Sequence, residues 1–88
     1  MGIEFDPAKD AANTLKHGVS LSQASEFEWE GALTWPDTRR AYGEQRMCAI
    51  GYIGVRLHVA VFVERGDVRR IISLRKANQR EENRYAEA

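Results

Sequence analysis

The 88-residue chain carries 13 basic and 13 acidic side chains, and 43% of its residues are hydrophobic. We expect one globular domain over residues 1–88, because a chain of this length supports only one small core. No apolar run reaches the roughly 20 residues of a membrane span, and the N-terminal residues lack the features of a signal peptide. We therefore expect a cytoplasmic protein without membrane contact. The single cysteine, Cys48, excludes an intramolecular disulfide and a cysteine zinc site.

The formal net charge is zero, but acidic and basic residues are segregated along the chain. Residues 1–38 hold two basic and seven acidic side chains, whereas residues 39–88 hold eleven basic and six acidic ones. Ten of the thirteen basic residues are arginine, whose planar fork matches phosphate and carboxylate groups. The pattern predicts a basic surface that faces an anionic partner, without showing that this partner is a nucleic acid.

A short strand at Ile3 to Phe5 is expected to precede a first helix from about Pro7 to His17. Asp6 and Pro7 are typical of a helix start, and Gly18 is typical of the position after a helix end. The spacing of four apolar residues predicts one inward helical face, made of Ala8, Ala11, Ala12 and Leu15. His17 in the last turn is explained by the helix dipole, and a catalytic role is the alternative.

A second helix is predicted to begin at Ser20, because Ser20 and Gln23 match the capping-box pattern. Its inward residues would be Leu21, Ala24 and Phe27, and it would end before Gly31. A brief edge strand, residues 32–35, is expected next, because Pro36 cannot continue a central strand. Trp29 and Trp35 are expected to pack in the core or at its rim. Residues 37–45 form the longest candidate loop, and loops on rigid scaffolds often carry function.

Three antiparallel strands are expected in the basic half, at residues 46–53, 55–65 and 68–76. Turns at Gly54 and at Gly66-Asp67 would join them. The middle strand alternates most clearly, with one apolar row of Val55, Leu57, Val59, Val61 and Val63. A polar helix from about Asn78 to Ala88 would follow, opened by a capping box between Asn78 and Glu81. We predict an α+β fold, with two N-terminal helices on one face of a mainly antiparallel sheet.

The last strand combines apolar residues with dense positive charge. Strict alternation would place Val68, Ile72 and Leu74 on one face, and Arg69, Ile71, Ser73 and Arg75 on the other. The second row suits a phosphate-binding surface, but the solvated face of an antiparallel sheet explains it equally well. No glycine-rich phosphate loop is present, and the two histidines have no ligand-spaced companions, so we expect no cofactor and no metal.

The chain resembles the BrnT family of bacterial toxins over nearly its whole length. The motifs that carry the resemblance are Phe5-Asp6-Pro7-Ala8-Lys9, Asn13-x-x-Lys16-His17-Gly18-Val19-Ser20 with Ala24, Asp37-x-Arg39, Tyr42-Gly43-Glu44-x-Arg46, Arg70-Ile71-Ile72-Ser73-x-Arg75-Lys76-Ala77, and Glu81 with Tyr85. Each motif is weak alone, but their order and spacing together are specific. Leu74 stands where the family usually has alanine or methionine, and a core-facing position tolerates that change.

The resemblance implies a RelE-like fold, ribonuclease activity that arrests translation, and neutralisation by a BrnA-like antitoxin that binds DNA, so that the toxin meets DNA only indirectly. Metal-free RNA cleavage needs a group that activates the 2′-hydroxyl and cations that stabilise the charged phosphorus centre. We assign Arg46 and Arg75 to the scissile phosphate, and Arg65 and Arg69 to the RNA backbone. Glu44 or His17 would transfer the proton, and Tyr42 or Tyr85 would stack on or orient the RNA.

Structural roles remain open for these residues. The structural alternatives are a turn salt bridge between Glu44 and Arg46, and an anchoring role for Tyr85 in the last helix. Two other functions remain in view: a nucleic-acid-binding module without catalysis, and a protein-interaction domain whose arginines meet a partner's carboxylates.

Overall fold

A computed structural model describes residues 2–39, 41 and 43–88. The elements in chain order are β1 (Gly2–Glu4), α1 (Pro7–His17), a 3₁₀-helix (Leu21–Glu26), β2 (Leu33–Pro36), β3 (Met47–Ile53), β4 (Arg56–Arg65), β5 (Val68–Lys76) and α2 (Gln79–Glu87). The strands form a five-stranded sheet in the order β1-β5-β4-β3-β2. β1 is parallel to β5, and the other pairs are antiparallel. The predicted α+β class with a mainly antiparallel sheet is therefore confirmed.

The strands β3, β4 and β5 form the predicted meander, joined by two-residue turns. Ile53 pairs with Arg56 across the first turn, and Arg65 pairs with Val68 across the second. Each turn begins with a glycine at positive φ, 61° at Gly54 and 60° at Gly66. Glycine suits both positions because a side chain would strain that backbone conformation.

The prediction of two N-terminal helices is wrong, since the described residues 2–39 contain one α-helix. Ser20 does cap the next segment, where its hydroxyl accepts a hydrogen bond from the Ser22 N–H at 3.2 Å. That segment, however, is a six-residue 3₁₀-helix. The buried residues explain the difference: Leu21, Ala24 and Phe27 recur every three positions, and a 3₁₀-helix has three residues per turn. The tighter helix therefore directs Leu21 and Ala24 into the core, and Phe27 follows directly after its end.

Helix α1 presents the opposite face from the one predicted. The residues of the expected inner row, Ala8, Ala11, Ala12 and Leu15, are all exposed, and Leu15 is 90% exposed. The buried residue of α1 is Asn13. Its side-chain amide donates to the Leu74 carbonyl at 2.7 Å and accepts from the Leu74 N–H at 3.2 Å. Because β1 pairs with β5 only as far as Arg70, Asn13 occupies the edge that β1 leaves open.

The chain from Val19 to Ala32 covers one side of the sheet, which we call the covered face. Val19, Leu21, Ala24 and Phe27 pack there in one buried cluster with residues of the sheet, namely Ala49, Ala60, Phe62, Ile71 and Leu74. Gly51 makes room for Phe27, because a Cβ at that position would lie 2.7 Å from the Phe27 ring. This face holds the larger of the two cores.

The opposite side, which we call the open face, is covered only in part by α2. Leu57, Val59, Ile50 and Ala77 form a small buried cluster there, with Tyr85 packed against it. The apolar row predicted for β4 lies on this face, but Val55 is in the turn and 99% exposed, and Val61 is only partly buried. The row therefore lines the smaller core and open clefts, while Ala60 and Phe62 reach the main core.

A β-bulge in β5 overturns the predicted alternation of that strand. Val61 pairs with Ser73 but Phe62 pairs with Ile71, so Ile72 is an extra residue in the ladder. Ile71 and Leu74 are three positions apart, so strict alternation would place them on opposite faces, yet both are buried in the same core. The bulge places Arg69 on the covered face and Arg75 on the open face. The prediction that these two arginines share a face is wrong, because an extra residue reverses the alternation.

Helix α2 begins at the predicted capping box. The Asn78 side chain accepts from the Glu81 N–H, and the Glu81 carboxylate accepts from the Asn78 N–H, both at 2.9 Å. Tyr85 anchors the helix, since its hydroxyl donates to the Gly31 carbonyl at 3.1 Å. None of the residues of α2 is fully buried. Within the described ranges, the helices are too short or too polar to cross a membrane.

Candidate functional site

Three clefts lie along β5, and most of the predicted site residues line them. The histidine cleft lies between α1 and β5 and is lined by Lys9, Asn13, Lys16, His17, Ile72 and Ser73. The arginine cleft lies beside the loop before β3 and is lined by Lys9, Glu44, Arg46, Arg65, Arg70 and Ile72. The tryptophan cleft lies under α2 and includes Trp35, Arg39, Arg75, Arg80, Glu81 and Arg84.

His17 is the last residue of α1, and Gly18 ends the helix with a φ of 71°. Partial burial lowers the pKa of the imidazole below its ordinary value of 6.5, and the positive charges of Lys16 and Arg75 lower it further. His17 is therefore neutral at pH 7. A neutral imidazole can accept a proton from a substrate hydroxyl.

Glu44 and Arg65 form an ion pair at the mouth of the arginine cleft. Arg65 donates from Nε to Glu44 Oε2 at 2.9 Å and from Nη2 to Oε1. These hydrogen bonds lower the pKa of the Glu44 carboxyl and raise that of Arg65. Glu4 lies nearby, 3.4 Å from Arg70 and 4.0 Å from Arg65. The carboxylates hold both guanidinium groups at the cleft.

The tryptophan cleft is the largest of the three, with a volume of about 410 Å³. Arg75 donates two hydrogen bonds to Glu81, at 2.7 and 2.8 Å, which lower the pKa of the Glu81 carboxyl. Arg39 donates in the same way to the buried Asp37, at 2.9 Å twice. Both carboxylates therefore orient a guanidinium group at the cleft.

Aromatic and apolar side chains form the walls of the tryptophan cleft. The Arg84 guanidinium carbon lies 3.9 Å from the centre of the Trp35 ring. Cys48, Val59 and Val61 line the floor, and burial raises the pKa of the Cys48 thiol. Cys48 therefore remains protonated at neutral pH and acts as a small apolar residue.

The structure brings several predicted site residues together. His17 lines the histidine cleft, whereas Glu44, Arg46 and Arg65 line the arginine cleft. These two clefts are neighbours, because Lys9 and Ile72 line both. Arg75 belongs to the tryptophan cleft, but its charge still acts on His17.

Other predicted residues lie elsewhere. Arg69 is on the covered face, where its guanidinium carbon is 4.3 Å from the centre of the Trp29 ring. Its Nε atom is buried and has no hydrogen-bond partner within the described parts of the chain. Tyr85 packs edge-on against Tyr52, with ring centres 5.5 Å apart, so its ring contacts the protein. Tyr42 lies outside the described residues.

Several cleft residues received no site role in the sequence analysis, although three of them lie in the family motifs, namely Lys9, Arg39 and Arg70, with Trp35, Arg80 and Arg84 outside those motifs. Arg80 and Arg84 could have been found, because a spacing of four places two residues on one side of a helix. Lys9 had the same signal, because Lys9, Asn13 and His17 are four positions apart on α1 and all three line the histidine cleft. Trp35 carried no such signal, since its position at the cleft depends on how β2 meets the sheet. Within residues 2–39, 41 and 43–88, no three His, Cys, Asp or Glu side chains are grouped as metal ligands.

A family model and a solved structure point to the same family. No curated protein matches the chain. The crystal structure of the Brucella abortus ribonuclease toxin BrnT is similar in fold, with a TM-score of 0.70 and 26% sequence identity, and the match covers 90% of this chain and 99% of that one. The model of the BrnT ribonuclease toxins of type II toxin–antitoxin systems matches residues 5–81. The chain with its three clefts along β5 therefore belongs to the BrnT family of ribonuclease toxins.

Proposed function

We propose that this chain cleaves RNA without a metal ion at the junction of the histidine and arginine clefts, and that this cleavage arrests translation. The observation that carries the proposal is the shared wall of the two clefts, Lys9 and Ile72. It places a neutral imidazole beside a group of fixed cations. Family membership supports ribonuclease activity, and the geometry supports this choice of residues.

In the proposed reaction, His17 takes the proton from the 2′-hydroxyl of the RNA. The 2′-oxygen then attacks the neighbouring phosphorus atom, and the bond from phosphorus to the 5′-oxygen breaks. The departing oxygen takes a proton from solvent, and His17 then returns its proton to solvent. The products are a 2′,3′-cyclic phosphate and a 5′-hydroxyl end, so atoms and charge balance without a cofactor.

His17 suits the role of base better than Glu44 does. An efficient general base has a pKa near the working pH. Both Glu44 oxygens accept hydrogen bonds from Arg65, and the pKa of this carboxyl lies below its ordinary value of 4.5. Glu44 is therefore a weak base at pH 7. Its proposed role is to hold Arg65 in position.

Lys9, Arg46 and Arg65 would stabilise the negative charge that develops on the phosphate, with Arg70 beside them. All four line the arginine cleft. Donors fixed before the reaction stabilise a transition state without the cost of reorganisation. Arg75, whose charge acts on His17, would add to this field. The proposed mechanism therefore depends on several cations acting together.

A BrnA-like antitoxin that also binds DNA is the proposed partner, and the cytoplasm is the proposed site of action. An acidic segment of the antitoxin across Arg46, Arg65 and Arg75 would cover the clefts, because carboxylates pair with guanidinium groups. RelE-like toxins are the proposed wider group. A binding titration with the antitoxin tests this. Substituting Arg65 and Arg75 together should weaken the binding of the antitoxin and reduce the salt dependence of that binding. Unchanged affinity would place the partner elsewhere.

The test of the nuclease is cleavage of RNA by the purified chain in excess EDTA. We expect cleavage to continue and to leave 2′,3′-cyclic phosphate ends. His17→Gln should lower the rate by about 10²-fold or more, whereas Lys76→Gln, which removes an exposed charge on the covered face, should not. Loss of activity in EDTA that magnesium restores would refute the mechanism. Salt-dependent RNA binding without cleavage would indicate a non-catalytic binding module.

A further inference from the structure

The tryptophan cleft combines an indole, an apolar floor and several arginines, and the proposed cleavage chemistry does not use most of them. Its volume of about 410 Å³ falls in the range of small-molecule sites. We propose that this cleft binds one nucleotide of the RNA substrate, with the base on the Trp35 indole and the phosphate between Arg80 and Arg84. This inference deepens the proposed ribonuclease function and rests on it.

The base would take the place that the Arg84 guanidinium holds in the free protein. That group lies 3.9 Å from the centre of the Trp35 ring, which is the stacking distance of a planar ligand. An exposed cation–π contact is weak, and stacking of a base on an aromatic ring is stronger. Binding therefore favours exchange of the guanidinium for a base. The same contact keeps the indole face free of other protein groups until RNA arrives.

The displaced Arg84 remains available for the phosphate. Arg80 and Arg84 are one helical turn apart on α2, and both line the cleft. Arg75 cannot move as freely, because two hydrogen bonds hold it to Glu81. The cleft therefore offers two cations on its helix and two that carboxylates orient, Arg75 and Arg39, which suits a phosphate group.

The position of the cleft relates the bound nucleotide to the cleavage site. Ser73 lines the histidine cleft and Arg75 lines the tryptophan cleft. Two residues of a strand span about 7 Å, so the β5 edge of the tryptophan cleft lies next to the histidine cleft. Trp35 itself is on β2, three strands from β5, or roughly 14 Å at the usual strand spacing, so the bound nucleotide would lie near the scissile phosphate but not directly beside it. A base held there would influence which sequences the toxin cuts. The cleft is therefore inferred to be a specificity subsite.

The two tryptophans provide an internal control for a binding experiment. The Trp29 indole N–H donates to the Ala24 carbonyl at 3.1 Å on the covered face, whereas Trp35 lines the cleft. In a spectrum of the ¹⁵N-labelled full chain, titration with AMP, GMP, CMP or UMP should move the Trp35 indole signal and leave that of Trp29 in place. Affinity for a single nucleotide is expected to be on the order of 1 mM. Inorganic phosphate alone should not reproduce the shift.

Matched variants test the two halves of the subsite. Arg80→Gln with Arg84→Gln should weaken nucleotide binding about tenfold, whereas Lys76→Gln, which removes a charge outside the cleft, should not. Trp35→Phe should keep the fold and alter the base preferred near the cut. No movement of the Trp35 signal with any of the four nucleotides would overturn the inference, as would a signal that moves only with the antitoxin.

The outcomes also separate this inference from the proposed function. If nucleotides move the Trp35 signal but the chain leaves RNA intact, the subsite stands as a binding site and the cleavage proposal falls. If the chain cleaves RNA and no nucleotide moves the signal, the cleavage proposal stands and the subsite is refuted.

Discussion

Arg69 and Arg75 lie on the same strand and carry the same charge, yet their surroundings are opposite. Arg69 is on the covered face, 20% exposed and stacked on Trp29. Arg75 is on the open face, 36% exposed and paired with Glu81 at the edge of a cleft. The first guanidinium is part of the core wall. The second is oriented where a substrate phosphate could reach it.

The β-bulge at Ile72 is the reason for this difference. Six residues along an ordinary strand would return to the same face, but the extra residue between the pairs Phe62–Ile71 and Val61–Ser73 reverses the alternation. The lesson is that two arginines with the same sequence signature can have different roles. The predictions below test that difference, from the largest expected effect to the smallest.

The contact that holds the C-terminal half of β5 is expected to matter most for stability. Asn13→Ala removes side-chain hydrogen bonds to the buried backbone of Leu74 and to Val19. We expect a loss of about 3 kcal/mol in the free energy of unfolding, because buried backbone groups would be left without partners. Urea unfolding measures it. Leu15→Ala on the same helix is the control and should change little, because Leu15 is 90% exposed. An Asn13→Ala protein as stable as the parent would show that α1 does not support this edge.

Arg75→Ala should lower kcat/KM for RNA cleavage by about 100-fold, because a fixed cation near the proposed site would be lost. Its folding should be affected far less, since a partly exposed ion pair contributes about 1 kcal/mol at most. Arg75→Lys retains the charge but not the two parallel hydrogen bonds, so its kcat/KM should lie between those of the parent and of Arg75→Ala. Equal losses of stability and activity would assign Arg75 a structural role.

Arg69→Ala should give the reverse result. We expect a loss of about 1–2 kcal/mol in unfolding free energy, because the contact with Trp29 is mostly shielded from solvent. The cleavage rate per folded molecule should stay unchanged. Arg69→Met, which keeps an apolar stem over the ring, should recover part of the stability. A large loss of activity in a fully folded Arg69→Ala protein would mean that Arg69 binds RNA, as the sequence predicted.

The ion pair of Arg75 should also make stability depend on pH. The folded protein holds the pKa of Glu81 below its ordinary value of 4.5, so folding favours the ionised carboxylate. This contribution is present above pH 4.5 and is lost as the pH falls through the lowered folded value. The parent should therefore exceed Glu81→Gln by no more than about 1 kcal/mol at pH 7, and the gap should narrow at pH 3. A gap that does not change with pH would mean that the carboxylate is not stabilised by Arg75.

Local signals were sufficient for most of the elements. Gly54 and Gly66 marked the two turns of the meander, and Asn78 with Glu81 marked the start of α2. The helix start at Asp6 was equally clear, since its side chain accepts from the Ala8 N–H at 2.8 Å. In each case the deciding interaction joins residues within three positions of one another, so neighbours in sequence determine it.

The candidate site was only partly predictable. His17, Glu44, Arg46, Arg65 and Arg75 line the clefts, and an arginine-rich sequence suggested this. The sequence could not show that these residues are divided among separate clefts, or that Lys9 lines two of them. Trp35 was assigned to core or rim packing because two isolated tryptophans make no base-stacking series, and it does pack against the small cluster of the open face. Its partner Arg84 is 49 positions away and reaches it only through the fold.

By itself, the sequence determined the fold class, the strands, the turns, the helix caps and the family of this protein, because these depend on short-range hydrogen bonding, on periodicity and on the order of motifs. Only the tertiary structure decided which side of each element meets the core. Helix α1 turns Asn13 inward because the edge of β5 offers unpaired backbone groups, and the bulge moves Arg69 away from Arg75. Such choices depend on what a distant segment leaves unsatisfied, and alternation or helical spacing within one element contains no information about that.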